Sequence, residues 1–143
     1  MFLADAGFTV DALDISTVAL ERGRRVAAER GLEIDWRAAD FDDGPGLAVR
    51  SSYDLIVWVR YVNRALLPFL IARLNPGGHL ICEQHLETAA NVAGPRSSGF
   101  RLRAGELAQA AVSMTVRHYN EGLVVDPDGR TVALAQLVAR ARA

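Results

Sequence analysis

Hydrophobic and polar positions change their period several times along this chain, and each change marks an element. In LEIDWRAAD, residues 32–40, Leu32, Ile34, Trp36 and Ala38 alternate with Glu33, Asp35 and Arg37. That is the two-residue period of a strand near a sheet edge, with one face wet. YDLIVWV, residues 53–59, is nearly all apolar instead, which predicts a strand covered on both faces inside a parallel sheet. Nearer the start, Phe8, Val10 and Ala12 alternate with Thr9 and Asp11, and Leu13 precedes Asp14, so residues 8–14 read as another strand. The period then lengthens. Ser16 or Thr17 can cap a helix running to about Arg30, with Val18, Ala19, Val26 and Ala27 as its apolar stripe and Gly31 as its stop. Residues 1–6 read as the last turns of a helix that Gly7 closes.

The second half repeats the alternation of strand and helix and then departs from it. Residues 66–74 suit a helix with Pro68 in its first turn, where the missing N–H does no harm, and NPGG ends it. HLICEQH, residues 79–85, is a strand, followed by a loop over residues 87–100 and a short helix in GELAQAAV. MTVRHYNEGLVV and RTVALAQLVARA flank DPDG, a turn with Pro second and Gly fourth, and so predict an antiparallel hairpin. The expected class is α/β, a mostly parallel sheet closed by a C-terminal antiparallel hairpin, with residues 1–143 as a single domain.

Composition narrows the function. A chain of 143 residues can bury roughly two thirds of its unfolded surface, and a net charge of -1 leaves no electrostatic footprint for nucleic acid. The single cysteine, Cys82, lies in an apolar run and excludes an internal disulfide framework or a cysteine-cluster zinc site. No apolar run reaches membrane-spanning length and no signal peptide is evident, so the expectation is a cytoplasmic protein with no membrane partner. Asp42 and Asp43 read as solvated turn residues, and no metal site is expected.

In order and spacing, FLADAGF, ALDIS, AAD, YDLIV and NPGGHLI, with the GEL helix and the final hairpin, resemble class I S-adenosylmethionine-dependent methyltransferases. The resemblance is to the small-molecule, tellurite-resistance-like branch and covers nearly the whole chain. It implies a Rossmann-like sheet, S-adenosylmethionine as cofactor and a small-molecule methyl acceptor. The residues are compatible. A carboxylate at the carboxyl end of a strand can accept hydrogen bonds from both ribose hydroxyls, the role implied for Asp14 with Ile15 and Ser16 beside it. The competing reading makes Asp14 a turn or cap residue. Asp40 could accept from an adenine amino group while Phe41 packs on the ring, or serve as a turn acid in ADFDDGPG.

The resemblance places Trp58 and Val59 at the methionine side of the cofactor, and Arg60 and Tyr61 against an anionic or aromatic group of the acceptor. Otherwise Arg60 pairs with a loop carboxylate and Asn63 caps the next helix. His85, near the end of its strand, is a candidate base or substrate-orienting group, or else a ring filling a pocket wall. His79 reads as a surface residue and His118 as structural or exposed.

Methyl transfer from a sulfonium needs proximity and alignment more than a catalytic triad. The resemblance also implies a first strand and a glycine-rich loop ahead of Met1, so the expectation is an N-terminally truncated chain that binds cofactor weakly or not at all. Three readings follow: a truncated or misassigned copy of a methyltransferase, a non-catalytic remnant acting as an interaction or regulatory module and forming a homodimer across the exposed sheet gap, or a fragment of a nicotinamide dehydrogenase in which Asp14 holds an NAD ribose.

Overall fold

The computed structural model describes residues 1–42, 50 and 52–142. The elements run α1 (Phe2–Asp5), β1 (Val10–Asp14), α2 (Thr17–Glu29), β2 (Ile34–Ala38), β3 (Tyr53–Val59), α3 (Leu66–Ile71), β4 (Leu74–His85), α4 (Glu106–Ala110), β5 (Thr115–Val125) and β6 (Thr131–Arg140), with a single 3-10 turn at Ser98–Phe100. The class is α/β as expected, and the chain divides into two compact units, Met1–Arg50 and Ser51–Ala143.

In the first unit, β1 and β2 pair in parallel, Val10 opposite Ile34 and Asp14 opposite Ala38. Both helices end in the same way. After α1, Gly7 donates to the Ala4 carbonyl and Phe8 to that of Leu3; after α2, Gly31 donates to Ala28 and Leu32 to Ala27. These are Schellman closures, and Gly7 and Gly31 adopt the positive φ that such an ending requires, +89° and +64°. The first closure ties up the Phe8 amide, so the strand predicted from residue 8 begins at Val10. Ser16 caps α2, its hydroxyl accepting from the Ala19 amide. Below it the Asp11 carboxylate is almost wholly covered, its side chain 2% exposed, and accepts from Arg50 at 2.8 Å with Arg37 4.0 Å away. That pairing is what permits a charge inside the pair of strands.

The second unit is a four-stranded sheet in the order β3-β4-β6-β5, with β3 parallel to β4 and both hairpin strands antiparallel. The predicted hairpin is present, closed at the Asp126–Arg130 turn, where Asp126 donates to the Arg130 carbonyl. Residues 74–78, expected as a helix end and a turn, already belong to β4, with a register shift opposite Tyr53 and Leu55. Two-sided burial falls on a different strand from the one the apolar run indicated. Val132, Ala133, Leu134 and Ala135 of β6 are all buried, whereas β3 buries Ile56 and Trp58 and leaves Val57 and Val59 47% and 49% exposed. Among the described residues β3 has β4 as its one strand neighbour, so it is an edge with one covered face. Hydropathy alone does not separate these cases.

Gly23 of α2 faces Trp36 of β2, and a Cβ there would stand 2.4 Å from the indole ring. A Gly→Ala change inside a helix ordinarily stabilises by about 1 kcal/mol, while forcing an overpacked contact costs about 1–3 kcal/mol. Gly23→Ala is therefore expected to destabilise the chain by about 1 kcal/mol, measured by chemical denaturation; a gain in stability would show that the ring moves aside freely.

Candidate functional site

The carboxyl ends of β1 and β2 lie side by side, and the turns that leave them carry the first candidate cluster. Asp14 ends β1 and is exposed. Its Oδ1 accepts from the Ser16 amide at 2.8 Å, a short-range turn that fixes the carboxylate's direction. Its Oδ2 accepts from none of the described residues. The Asp14 carbonyl accepts from the Ala39 amide at 3.1 Å, so the chain leaving β2 is tied to this end and Asp40 follows at once. Asp40 is built likewise, its Oδ1 accepting from the Asp42 amide at 2.9 Å. Ile15 is 65% exposed and Phe41 half-buried. The turn role read from the sequence is what the geometry shows at Asp14. Asp43 lies outside the described residues.

The second cluster stands where β3 and β4 end. Arg60 is the one described non-glycine residue with positive φ, at +54°, a conformation that costs of order 1 kcal/mol or more and persists where its surroundings fix it. They do so here. The Arg60 amide donates to the Glu83 carbonyl at 2.7 Å, Nε donates to Glu83 Oε1 at 2.9 Å, and Nη1 and Nη2 fork onto Asp126 at 2.7 and 2.6 Å. Glu83 passes the network to Gln136, whose Nε2 donates to Oε2 at 2.9 Å. The fork lowers the Asp126 carboxyl below the ordinary range and raises the Arg60 guanidinium still further. The loop-carboxylate reading of Arg60 is what the geometry realises, with Nε and both Nη atoms engaged. Asn63 behaves as the cap it suggested, its Oδ1 accepting from the Ala65 and Leu66 amides.

Trp58 and Val59, adjacent in sequence, face opposite sides of the sheet. Trp58 is buried with Ile56, and Val59 is half exposed. Gln84 is fully buried beside Trp58, donating from Nε2 to the Trp58 carbonyl at 3.2 Å, while Gln84 Oε1 and Trp58 Nε1 meet no partner among the described residues. Tyr61 is half-buried. Cys82 is buried, and burial pushes its thiol up to about 12, so it is inert as expected. His79 and His118 are exposed.

His85 is buried and its Nδ1 meets no partner among the described residues. Its carbonyl accepts from the Leu102 amide at 2.7 Å. Gly94 lies across the ring: a Cβ on Gly94 would fall 2.8 Å from His85 Cε1, so only glycine lets the loop close there. Burial, with the positive charges of Arg60 and Arg101, holds the imidazole below its ordinary range, against a smaller opposing pull from Asp126 and Glu83. Beside it the loop frames an open hollow of about 750 Å³, with Thr88, Asn91, Gly94, Arg96, Ser98 and Arg101 among its walls.

Four participants escaped the sequence reading. Asp126 was legible only as a turn residue, Gln84 only as a polar break on the face of Leu80 and Cys82, and Gly94 and Arg101 only as loop. The clusters at Asp14–Asp40 and at Arg60–His85 lie in different units, and each stands as described by itself.

No protein-family model and no curated protein matches the sequence. Solved structures do match. TehB from Haemophilus influenzae superposes with a TM-score of 0.83 at 19% identity over 99% of this chain and 52% of TehB, so the chain spans about half of that protein's length. A SAM-dependent methyltransferase from Methanosarcina mazei gives 0.71 at 15% identity, over 99% of this chain and 85% of that one. The N-methyltransferase NodS from Bradyrhizobium japonicum, in complex with S-adenosyl-L-homocysteine, gives 0.65 at 19% identity, over 93% and 66%. The chain has the Rossmann-like fold of these S-adenosylmethionine-dependent methyltransferases.

Because the folded state holds His85 below its unfolded pKa of about 6.5, the unfolded chain takes up a proton first as pH falls. Stability contributed by neutral His85 is complete above that value and is lost as pH falls from there through the lowered folded pKa. The lowered carboxyls of Asp126 and Glu106 act only at more acid pH. Urea titrations at pH 7.5 and 5.5 should show this loss for the wild type and a smaller one for His85→Asn; equal slopes would assign the dependence elsewhere.

Proposed function

We propose that the protein transfers a methyl group from S-adenosylmethionine to a small-molecule acceptor, in the cytoplasm. One observation carries this reading: two carboxylates, Asp14 and Asp40, at the carboxyl ends of adjacent parallel strands, in a chain with the fold of S-adenosylmethionine-dependent methyltransferases. Open α/β sheets bind ligands at that end of their strands. The residues present fit the cofactor. Asp14 is aimed by the Ser16 amide and keeps an oxygen for a ribose diol, Ile15 offers exposed apolar surface, and Asp40 with Phe41 suits an adenine.

S-Adenosylmethionine supplies a methyl group already activated on sulfonium, so the protein's share is to hold, align and exclude water. Within the second unit His85, held below its ordinary range mainly by burial, is the candidate base for an acceptor that must lose a proton. Arg60 and Trp58 take supporting roles: Arg60 fixes the ends of β3 and β4, and Trp58 packs beneath them. A net charge of -1 supports a small acceptor over nucleic acid, and among the described residues no helix is long and apolar enough to cross a membrane.

The test is a titration of the chain with S-adenosylhomocysteine followed by amide NMR. Weak binding is expected, with shifts at Asp14–Ser16 and Asp40–Asp42. Asp14→Asn, which keeps the turn and removes the charge, should weaken it by about ten-fold, about 1.4 kcal/mol. Shifts confined to other residues, with Asp14–Ser16 and Asp40–Asp42 silent, would overturn the reading.

A second reading, a non-catalytic interaction module, is favoured by the open edge of β3, where apolar Val57 and Val59 are exposed and no charge interrupts residues 55–59. It expects a homodimer by light scattering that Val57→Lys disperses; a monomer at every concentration excludes it.

A further inference from the structure

Among the arginines near the β3–β4 end, some are matched with carboxylates, whereas Arg96 and Arg101 are not. Arg60 is spent on Asp126 and Glu83, and Arg64 donates to Glu106 and to the Arg101 carbonyl. Arg101, half-buried, is held by carbonyls alone, Nε donating to Pro95 at 2.7 Å and Nη1 to Leu86 at 2.8 Å. Neutral acceptors fix the guanidinium without cancelling its charge, and Nη2 is left at the wall of the hollow, 3.4 Å from where a Gly94 Cβ would stand. Arg96 is exposed on the same wall and forms no hydrogen bond or ion pair with the described residues.

The rest of the lining has the same bias. The Ser98 hydroxyl and Asn91 amide add donors, and Thr88 Oγ1 already accepts from the Ala90 amide, so its proton is left to give. Glu87 is the one carboxylate on the wall, against two guanidinium groups. The remaining surface is apolar, from Ala89, Ala90, Val92 and Pro95.

We infer that this hollow binds the carboxylate of a small acid with an apolar body, Arg101 and Arg96 meeting the anion and the alanine, valine and proline surface meeting the body. Guanidinium groups favour an anion over a neutral group, and the apolar walls add contact only for an acid that carries an apolar body. That this acid is the methyl acceptor rests on the methyl-transfer reading; that the hollow binds it does not. The inference also moves the anion-contacting role, expected of Arg60, to two arginines of the loop.

Benzoate, benzamide and inorganic phosphate are the probes, titrated into the full chain and followed by the amide resonances of Thr88, Asn91, Gly94 and Ser98. Benzoate should shift them, with benzamide and phosphate each at least about ten-fold weaker. Arg96→Gln, at an exposed and unpaired position, should reduce benzoate affinity by about ten-fold without altering thermal unfolding, and Arg101→Lys, which keeps charge but loses the fork, should reduce it as well. Equal binding of benzamide, tighter binding of phosphate, or an unchanged Arg96→Gln would overturn the inference. A silent S-adenosylhomocysteine titration beside a positive benzoate titration would remove the acceptor role and keep the site.

Discussion

The unit formed by Ser51–Ala143 depends on β6 lying between β4 and β5. That strand returns antiparallel from the Asp126–Arg130 turn and pairs His79–His85 on one side and Thr115–Val125 on the other. Its central residues are covered on both faces, so it gathers more apolar burial than any neighbour. The candidate groups hang on this placement. Asp126 reaches Arg60 because the hairpin turn returns to that end of the sheet, and Gln136 can carry a hydrogen bond to Glu83 because the two are register partners. The loop is fastened the same way, with Leu86 donating to Ala133 and Ala93 to Thr131.

Charge is distributed by the same geometry. Where a strand end meets a turn, or a loop meets a helix start, arginine and carboxylate meet in forks, as at Arg60–Asp126 and Arg64–Glu106. Such forks convert a flexible side chain into a fixed strut, and even a left-handed backbone at Arg60 is held by one. Where the loop arches over β4, carbonyls take the place of carboxylates and positive charge is left over. That excess adds to burial and to Arg60 in holding His85 below its ordinary range, and it underlies the anion site proposed for the hollow.

The fold narrows function without naming a substrate, since one scaffold carries many chemistries. The feature on which the proposed cofactor reading rests is local: two exposed carboxylates, each aimed by an amide two residues on, at or just past adjacent strand ends. The hollow proposed to take a small acid is local too, and lies on a loop.

Elements set by short-range patterning were legible in the sequence. The glycine closures, the Ser16 cap, the alternating strand at Trp36, the DPDG hairpin and the inert Cys82 depend on neighbours a few residues away or on hydropathy alone, and they stand as read. Asp14 ends β1 as its own pattern indicates, whereas β2 stops at Ala38, two residues before the Asp40 expected at its end. The tertiary structure alone decided which apolar strand is covered twice, that Arg60 is bound to Asp126 sixty-six residues away, and that Gly94 and Arg101 close on His85. These depend on strand order and on where a loop returns. Contacts between distant residues leave no period in the chain, so nothing along the sequence could announce them.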